Sequence, residues 1–358
     1  MITANIIKVF IPATASFVIG ILFAPILTHY LFKYKAWKKS TGKTALDGTP
    51  AVEFEKLRTT VHADTETKTP RMGGILIWMS IAIVTLGLWG GAELFSFQSI
   101  DKLDFLSRSQ TWVPFFTLLA GSLMGLLNDL FDIQPGGERG IRLRTRLLFV
   151  SLVSGLVGAW FYVKLGVATI SIPGGGAFLL GWLIVPVFIL ISLGIYAGGV
   201  IDGIDGLSGG VFGATFMAYA GIAYFQGQYD LAAFSATVTG AILAFLWFNI
   251  PPARFWMTET GTMGLTLTLA VIAFMTDTLG GGYGIVALPI IAFPLIVTVL
   301  SNVIQVVSKK VRGKKVFRIA PLHHHFEAIG WPPYKVTMRY WIISIVSAIV
   351  GMTVALLK

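Results

Sequence analysis

The chain contains no cysteine, so disulfides and thiolate metal sites are excluded and the redox compartment cannot be read from it. Charge is also scarce. Asp, Glu, Lys and Arg make up 12% of the 358 residues, about half the share of an ordinary soluble domain, which excludes a soluble enzyme. The acidic residues are the scarcer sign, 17 against 27 basic, leaving a net charge of +10. An excess of that sign can mark a nucleic-acid binder, but the basic residues here cluster in alternate loops between apolar blocks, which points to membrane orientation and no nucleic acid. No cleavable signal peptide is expected, because the first apolar block runs on to Phe32 and reads as a span in its own right.

What the chain has is apolar length: 55% hydrophobic residues and a mean hydropathy of +0.78. The apolar residues fall into ten blocks, each near the length a helix needs to cross about 30 Å of hydrocarbon. The spans read as 9–32, 73–91, 112–127, 147–165, 177–195, 207–225, 231–249, 261–276, 283–306 and 337–357. The expected fold is an all-α integral membrane protein, one polytopic domain over 1–358, with ten transmembrane helices. All Lys and Arg except Lys8, Lys102, Arg108, Lys164 and Lys358 lie in or beside the loops after spans one, three, five, seven and nine. The positive-inside rule makes those loops cytoplasmic and puts both termini outside. Pro186 in the fifth span and Pro289 and Pro294 in the ninth predict bends, since proline removes a backbone donor and crowds the preceding turn.

A transporter would carry its polar groups near the bilayer midplane. Here they gather instead at the cytoplasmic ends of spans, in four segments. Asn128, Asp129 and Asp132 close the third span; Asp129 and Asp132 share a helix face and suit a divalent cation held against a diphosphate, or simply reach headgroup water. Asp202-Gly-Ile-Asp-Gly-Leu207 places two carboxylates three apart, each followed by glycine, in a turn tight enough for backbone N–H groups to approach a nucleotide. Asn249 to Thr262 joins an aromatic pair able to stack on a base, Phe255 and Trp256, to the carboxylate of Glu259 and a hydroxyl-rich turn.

The fourth segment, Pro321-Leu-His-His-His-Phe-Glu327, follows six basic residues between Lys309 and Arg318. Three successive histidines cannot all face one metal from a helix, because neighbouring side chains turn by about 100°, so phosphate contact or proton handling is the better expectation. Carboxylates for a metal, cations for phosphate oxygens and an aromatic for a base are the parts of phosphoryl transfer. On spacing alone the substrate stays open.

At these residues the chain resembles the phospho-N-acetylmuramoyl-pentapeptide transferases, a branch of the polyprenyl-phosphate N-acetylhexosamine-1-phosphate transferase superfamily, over essentially its whole length. Lys68-Thr-Pro-Arg-Met-Gly-Gly74 resembles the family's Thr-Pro-Thr-Met-Gly-Gly, and Asp202 to Leu207 its Asp-Gly-Leu-Asp-Gly-Leu. Most specific is Ala320-Pro-Leu-His-His-His-Phe-Glu327, followed by Gly330-Trp-Pro and Arg339-Tyr-Trp-Ile-Ile-Ser344. The resemblance implies a transferase of peptidoglycan synthesis in the bacterial inner membrane. It would move phospho-MurNAc-pentapeptide from UDP-MurNAc-pentapeptide to undecaprenyl phosphate, giving lipid I and UMP. It further implies Mg²⁺, frequent homodimers, catalytic roles for Asp129, Asn128, His323, His324 and His325, and metal ligation by Glu259 and Asp129. Substrate contacts are implied for Lys68, Asp202, Gly203, Asp205, Arg146 and Trp256, the last standing where the family has a uracil-stacking Phe.

The chain also departs from the pattern. The family's Asp-Asp pair is Asn128-Asp129, its Met-Gly-Asp-x-Gly-Ser is Met257-Thr-Glu-Thr-Gly-Thr262, and Asp132 replaces a usual Lys. Two family asparagines correspond to Tyr196 and Gly199. An amide at 128 takes no proton in the working pH range, which favours direct attack by the lipid phosphate over an aspartyl intermediate. Another UDP-linked N-acetylhexosamine donor, or a non-catalytic or transport descendant, are the alternatives.

Overall fold

The structure is a computed structural model that describes residues 2–37, 68–95, 102–134, 140–174 and 176–357. Its helices are α1 (Ile2–Lys33), α2 (Gly74–Phe95), α3 (Trp112–Asp132), α4 (Leu143–Lys164), α5 (Ile184–Ala197), α6 (Leu207–Phe225) and α7 (Tyr229–Asn249). There follow α8 (Thr258–Met275), α9 (Gly284–Ile291), α10 (Phe293–Arg312), α11 (Leu322–Ala328) and α12 (Pro333–Leu356). Among the described residues nine helices are long and apolar enough to cross a membrane, and α6 is a further apolar helix of 19 residues. The outer faces carry exposed Leu, Ile, Val and Phe along most of these helices, so the bundle is that of an integral membrane protein.

Helix α8 lies at the centre, with almost every residue buried and neighbours in α2, α3, α5 and α9. Its sequence alternates Gly and Thr with aliphatics, and the small residues set how closely its neighbours approach. A Cβ on Gly121 of α3 would lie 2.8 Å from the Cα of Gly264, and one on Gly74 of α2 would run into the backbone of Gly261. Where lipid offers no hydrophobic drive between helices, such close backbone approach supplies the packing. At the far end Phe161, Phe188 and Phe274 close a ring of three aromatics joining α4, α5 and α8, with centroids 4.7–5.7 Å apart.

Three departures from the sequence expectation have physical causes. Residues 283–306 are not one span but two helices meeting at Ala292, because Pro294 sits in the first turn of α10, where a missing N–H is harmless, and cannot continue α9. The expected fifth span, 177–195, begins instead in a hairpin, and its helix starts only at Ile184. Thr169–Ile172 (β1) pairs antiparallel with Gly176–Leu179 (β2), so the fold is not purely helical. Thr169-Ile-Ser-Ile172 favours strand, and Gly174 at φ +103° helps reverse the chain. Buried Asp277 ties this hairpin to the bundle by accepting hydrogen bonds from Ser171 N at 2.8 Å and Ile285 N at 3.1 Å, and burial raises its carboxyl pKa. Pro186 falls in the first turn of α5, where it breaks no helical bond. Most of the basic loop after the first span, and Lys358, lie outside the described residues.

Candidate active site

The third helix continues through Asp132, so Asp129 and Asp132 ride on its last turn. Asp129 is fully buried and faces the start of α8. Its Oδ2 accepts hydrogen bonds from Thr258 Oγ1 at 2.5 Å, Thr260 Oγ1 at 2.6 Å and Thr260 N at 2.9 Å. From the other side Asp202 Oδ2 accepts Thr258 N at 2.7 Å, while its Oδ1 accepts Ser208 Oγ at 2.6 Å. Two carboxylates distant in sequence therefore satisfy N–H groups that the first turn of α8 leaves open, at the positive end of the helix dipole. Burial raises the Asp202 pKa, opposed by those two hydrogen bonds.

The backbone is held in uncommon geometry at the same place. Met72 and Thr258 have φ of +67° and +54°, and Met72 N donates to Thr258 Oγ1 at 3.1 Å. Gly73 N donates to Trp256 O at 2.7 Å, and Trp256 N to Pro70 O at 2.9 Å, so the 70–74 and 256–258 segments are zipped together.

Two arginines enter this acidic cluster. Arg71 Nη1 lies 3.1 Å from Asp132 Oδ2, with Nη2 4.0 Å from Asp129 Oδ1. Arg146 pairs directly with Glu259, and the Tyr196 hydroxyl contacts both. The Nε atoms of both arginines are buried with no hydrogen-bond partner among the described residues.

The histidines separate as their spacing requires. His323 is fully buried and lies beside His324, with ring centroids 4.4 Å apart. Both rings turn Nε2 toward Gly203, where a Cβ would lie 2.6 Å from the first and 2.8 Å from the second. His324 Nδ1 is held by Glu327 Oε2 at 2.6 Å, which leaves its Nε2 to face the 202–206 turn. Burial, with His324 adjacent, drives the His323 pKa well below the usual imidazole value. His325 is turned elsewhere: its Nδ1 accepts Arg318 N at 3.2 Å and its ring packs on Phe317. Helix α11 is pinned by Leu322 N donating to Ser301 Oγ at 2.9 Å and by Phe326 stacked on Trp331, over which Arg339 lies.

Asp205 braces the neighbouring loop. Its carboxylate accepts Trp256 Nε1 at 2.9 Å and Ala253 N at 3.0 Å, and its carbonyl accepts Thr337 Oγ1 at 3.0 Å. Gly206, at φ +76°, makes the turn, and its N–H donates to Asn249 Oδ1 at 2.9 Å. The two glycines of the motif thus serve different needs, clearance at 203 and conformation at 206. The indole of Trp256 is oriented through its edge and only half-buried.

Residues 111–277 match the family model Glycosyl transferase family 4. A phospho-N-acetylmuramoyl-pentapeptide-transferase of a Geobacillus species is 32% identical over 94% of both chains. Those of Anoxybacillus flavithermus and Bacillus subtilis are 31% identical, over 95% and 94% of each chain respectively. The chain belongs to the phospho-N-acetylmuramoyl-pentapeptide-transferase family.

Within the family's pattern, Asp129, Asp202, Glu259, His323, His324 and Arg146 come together at one end of the bundle, with Asp205 and Trp256 coupled at its rim. Asn128 holds the chain after α3 by accepting Ile141 N at 2.9 Å on Oδ1, and its amide lies 3.4 Å from Asp129 Oδ1. Three residues escaped the sequence reading. Thr258 and Thr260 orient Asp129, and nothing in the sequence separates them from other helix-start threonines. Arg71 had a signal, its departure from the Thr-Pro-Thr-Met-Gly-Gly segment that residues 69–74 resemble, and the structure pairs it with Asp132.

The carboxylates to which the resemblance assigns Mg²⁺, Asp129 and Glu259, are already engaged by protein donors. Asp129 Oδ2 already accepts three hydrogen bonds and Glu259 is held by Arg146. Among the described residues no three His, Asp or Glu side chains converge as a cation would require. As arranged, these residues do not fit a divalent ion.

Proposed function

We propose that the protein transfers phospho-MurNAc-pentapeptide from UDP-MurNAc-pentapeptide to undecaprenyl phosphate, forming lipid I and UMP for peptidoglycan synthesis. The observation that carries this reading is the meeting of Asp129, Asp202, Arg71, Arg146, His323 and His324 around the start of α8, in a chain aligned with transferases of that name over nearly its full length. An oxygen of the lipid phosphate attacks the sugar-bearing phosphorus of the donor. The bond from that phosphorus to the bridging oxygen breaks, and UMP leaves with the electron pair. The guanidinium groups take up charge on the phosphate oxygens, Asp129 fixes the start of α8 through its threonines, and His324, oriented by Glu327, offers Nε2 to a phosphate oxygen. Trp256 presents its face to the uracil while Asp205 holds its edge. Direct attack forms no covalent link to the protein and so accommodates Asn128.

In this reading ten helices cross the bacterial inner membrane as one domain, with both termini outside and the site on the cytoplasmic face, where the soluble donor meets the lipid acceptor. The basic loops support that orientation. A homodimer is the assembly that the family resemblance implies.

The test is UMP release in detergent with undecaprenyl phosphate and either UDP-MurNAc-pentapeptide or UDP-GlcNAc. Turnover of the first alone supports the proposal. Turnover of the second alone would assign another hexosamine donor, with Tyr196 and Gly199 as the altered pocket residues, and no turnover with either would mark a chain that has lost its chemistry.

A further inference from the structure

We propose that Arg71 and Arg146 supply the cationic centre for the donor diphosphate in this chain, in place of a divalent cation. The inference rests on the transferase reading above and deepens it. Its basis is a set of contacts and unpartnered donors. Glu259, at the family's metal-binding position, is neutralised by Arg146, and Tyr196 closes over the pair. Asp132 on α3 and Arg71 in the facing 70–74 segment form a 3.1 Å ion pair. Asn128 is an amide, and its Oδ1 accepts the Ile141 N–H at 2.9 Å. Asp129 is saturated on Oδ2 by helix-start donors. These contacts engage the carboxylate oxygens that Mg²⁺ would select.

What remains is donor capacity. Each guanidinium carries five N–H groups. The buried Nε–H of both Arg71 and Arg146 has no acceptor among the described residues, and neither does either ring nitrogen of His323. Buried donors without acceptors are costly, and a phosphate oxygen is the acceptor that a planar guanidinium best matches. Arg71 reaches the site from the 70–74 segment and Arg146 from α4, so the two approach it from separate elements. Each guanidinium has the geometry to hold one phosphate.

The test uses the full chain in detergent. UDP binding is followed by calorimetry in EDTA and in excess Mg²⁺, and Mn²⁺ binding by electron paramagnetic resonance. The expected result is UDP affinity within threefold with and without metal, no stoichiometric Mn²⁺ site, and at least tenfold weaker UDP binding in Arg71→Ala and in Arg146→Ala. UDP binding that requires Mg²⁺, or a stoichiometric Mn²⁺ signal abolished by Glu259→Ala, would overturn the proposal. Should an alanine variant fail to fold, the unmodified chain in EDTA decides the matter alone. Metal-independent UDP binding in a chain that turns over no donor would support the arginine centre while refuting the transferase reading, so the two failures are distinguishable.

Discussion

Removing the Asp129 side chain should separate its bracing role from its chemical one. In Asp129→Ala, Thr258 Oγ1 keeps a second acceptor, Met257 O at 2.8 Å, whereas Thr260 N and Thr260 Oγ1 lose theirs. Two hydrogen bonds to a charged acceptor are worth about 1.5–3 kcal/mol each, so the variant should be destabilised by about 3–6 kcal/mol. Asp129→Asn keeps an oxygen that can accept from the same donors and should lose less than about 2 kcal/mol, but it lacks the charge. If the charge shapes the phosphate site, turnover in the Asn variant should still fall by at least about 100-fold, or about 2.7 kcal/mol of barrier. Thermal unfolding in detergent reads the first quantity, and UMP release per folded molecule reads the second. A stable Asn variant with near-normal turnover would refute the chemical role. An Ala variant as stable as the parent would refute the idea that Asp129 holds the start of α8.

Asn128→Asp should change the rate by less than about tenfold, since direct attack needs no second carboxylate; a parent inert with every donor and a mutant that turns over would reverse that mechanism. Asp132→Lys should destabilise the protein by setting like charges together, and adding Arg71→Thr should recover most of the loss in a double-mutant cycle; additive effects would mean the 3.1 Å pair does not couple. His323 has a folded pKa below its unfolded value, so the unfolded chain binds the extra proton and stability must fall as pH drops below about 6.5, by up to about 1.4 kcal/mol per pH unit. Unfolding temperatures between pH 7.5 and 5.5 should therefore fall in the parent and fall less in His323→Asn. Trp256→Phe, which keeps a ring but loses the bond to Asp205, should leave KM for the donor within about threefold, while Trp256→Ala should raise it about tenfold, the span of one base-stacking contact.

The sequence determined by itself that this is a polytopic helical membrane protein, because helices must satisfy their own backbone groups in lipid and each therefore writes its length as an apolar block. It also located the acidic and histidine segments and, through motif resemblance, the reaction class, since those residue types are costly in a membrane protein and stand out against the apolar background. Tertiary structure decided what each polar group does. That Asp129 is saturated by Thr258 and Thr260, more than a hundred residues away along the chain, depends on α3 and α8 meeting through Gly121, Gly125 and Gly264. The division of three adjacent histidines into a buried pair over Gly203 and an outlier on Arg318 depends on which face of α11 the bundle covers. The break at Ala292 and the hairpin at 169–179 were hidden because hydropathy registers apolar content, not whether a proline restarts a helix or a glycine reverses a strand. Charge pairing was least legible of all: Arg71 with Asp132 and Arg146 with Glu259 join distant positions, and only folding brings them within reach.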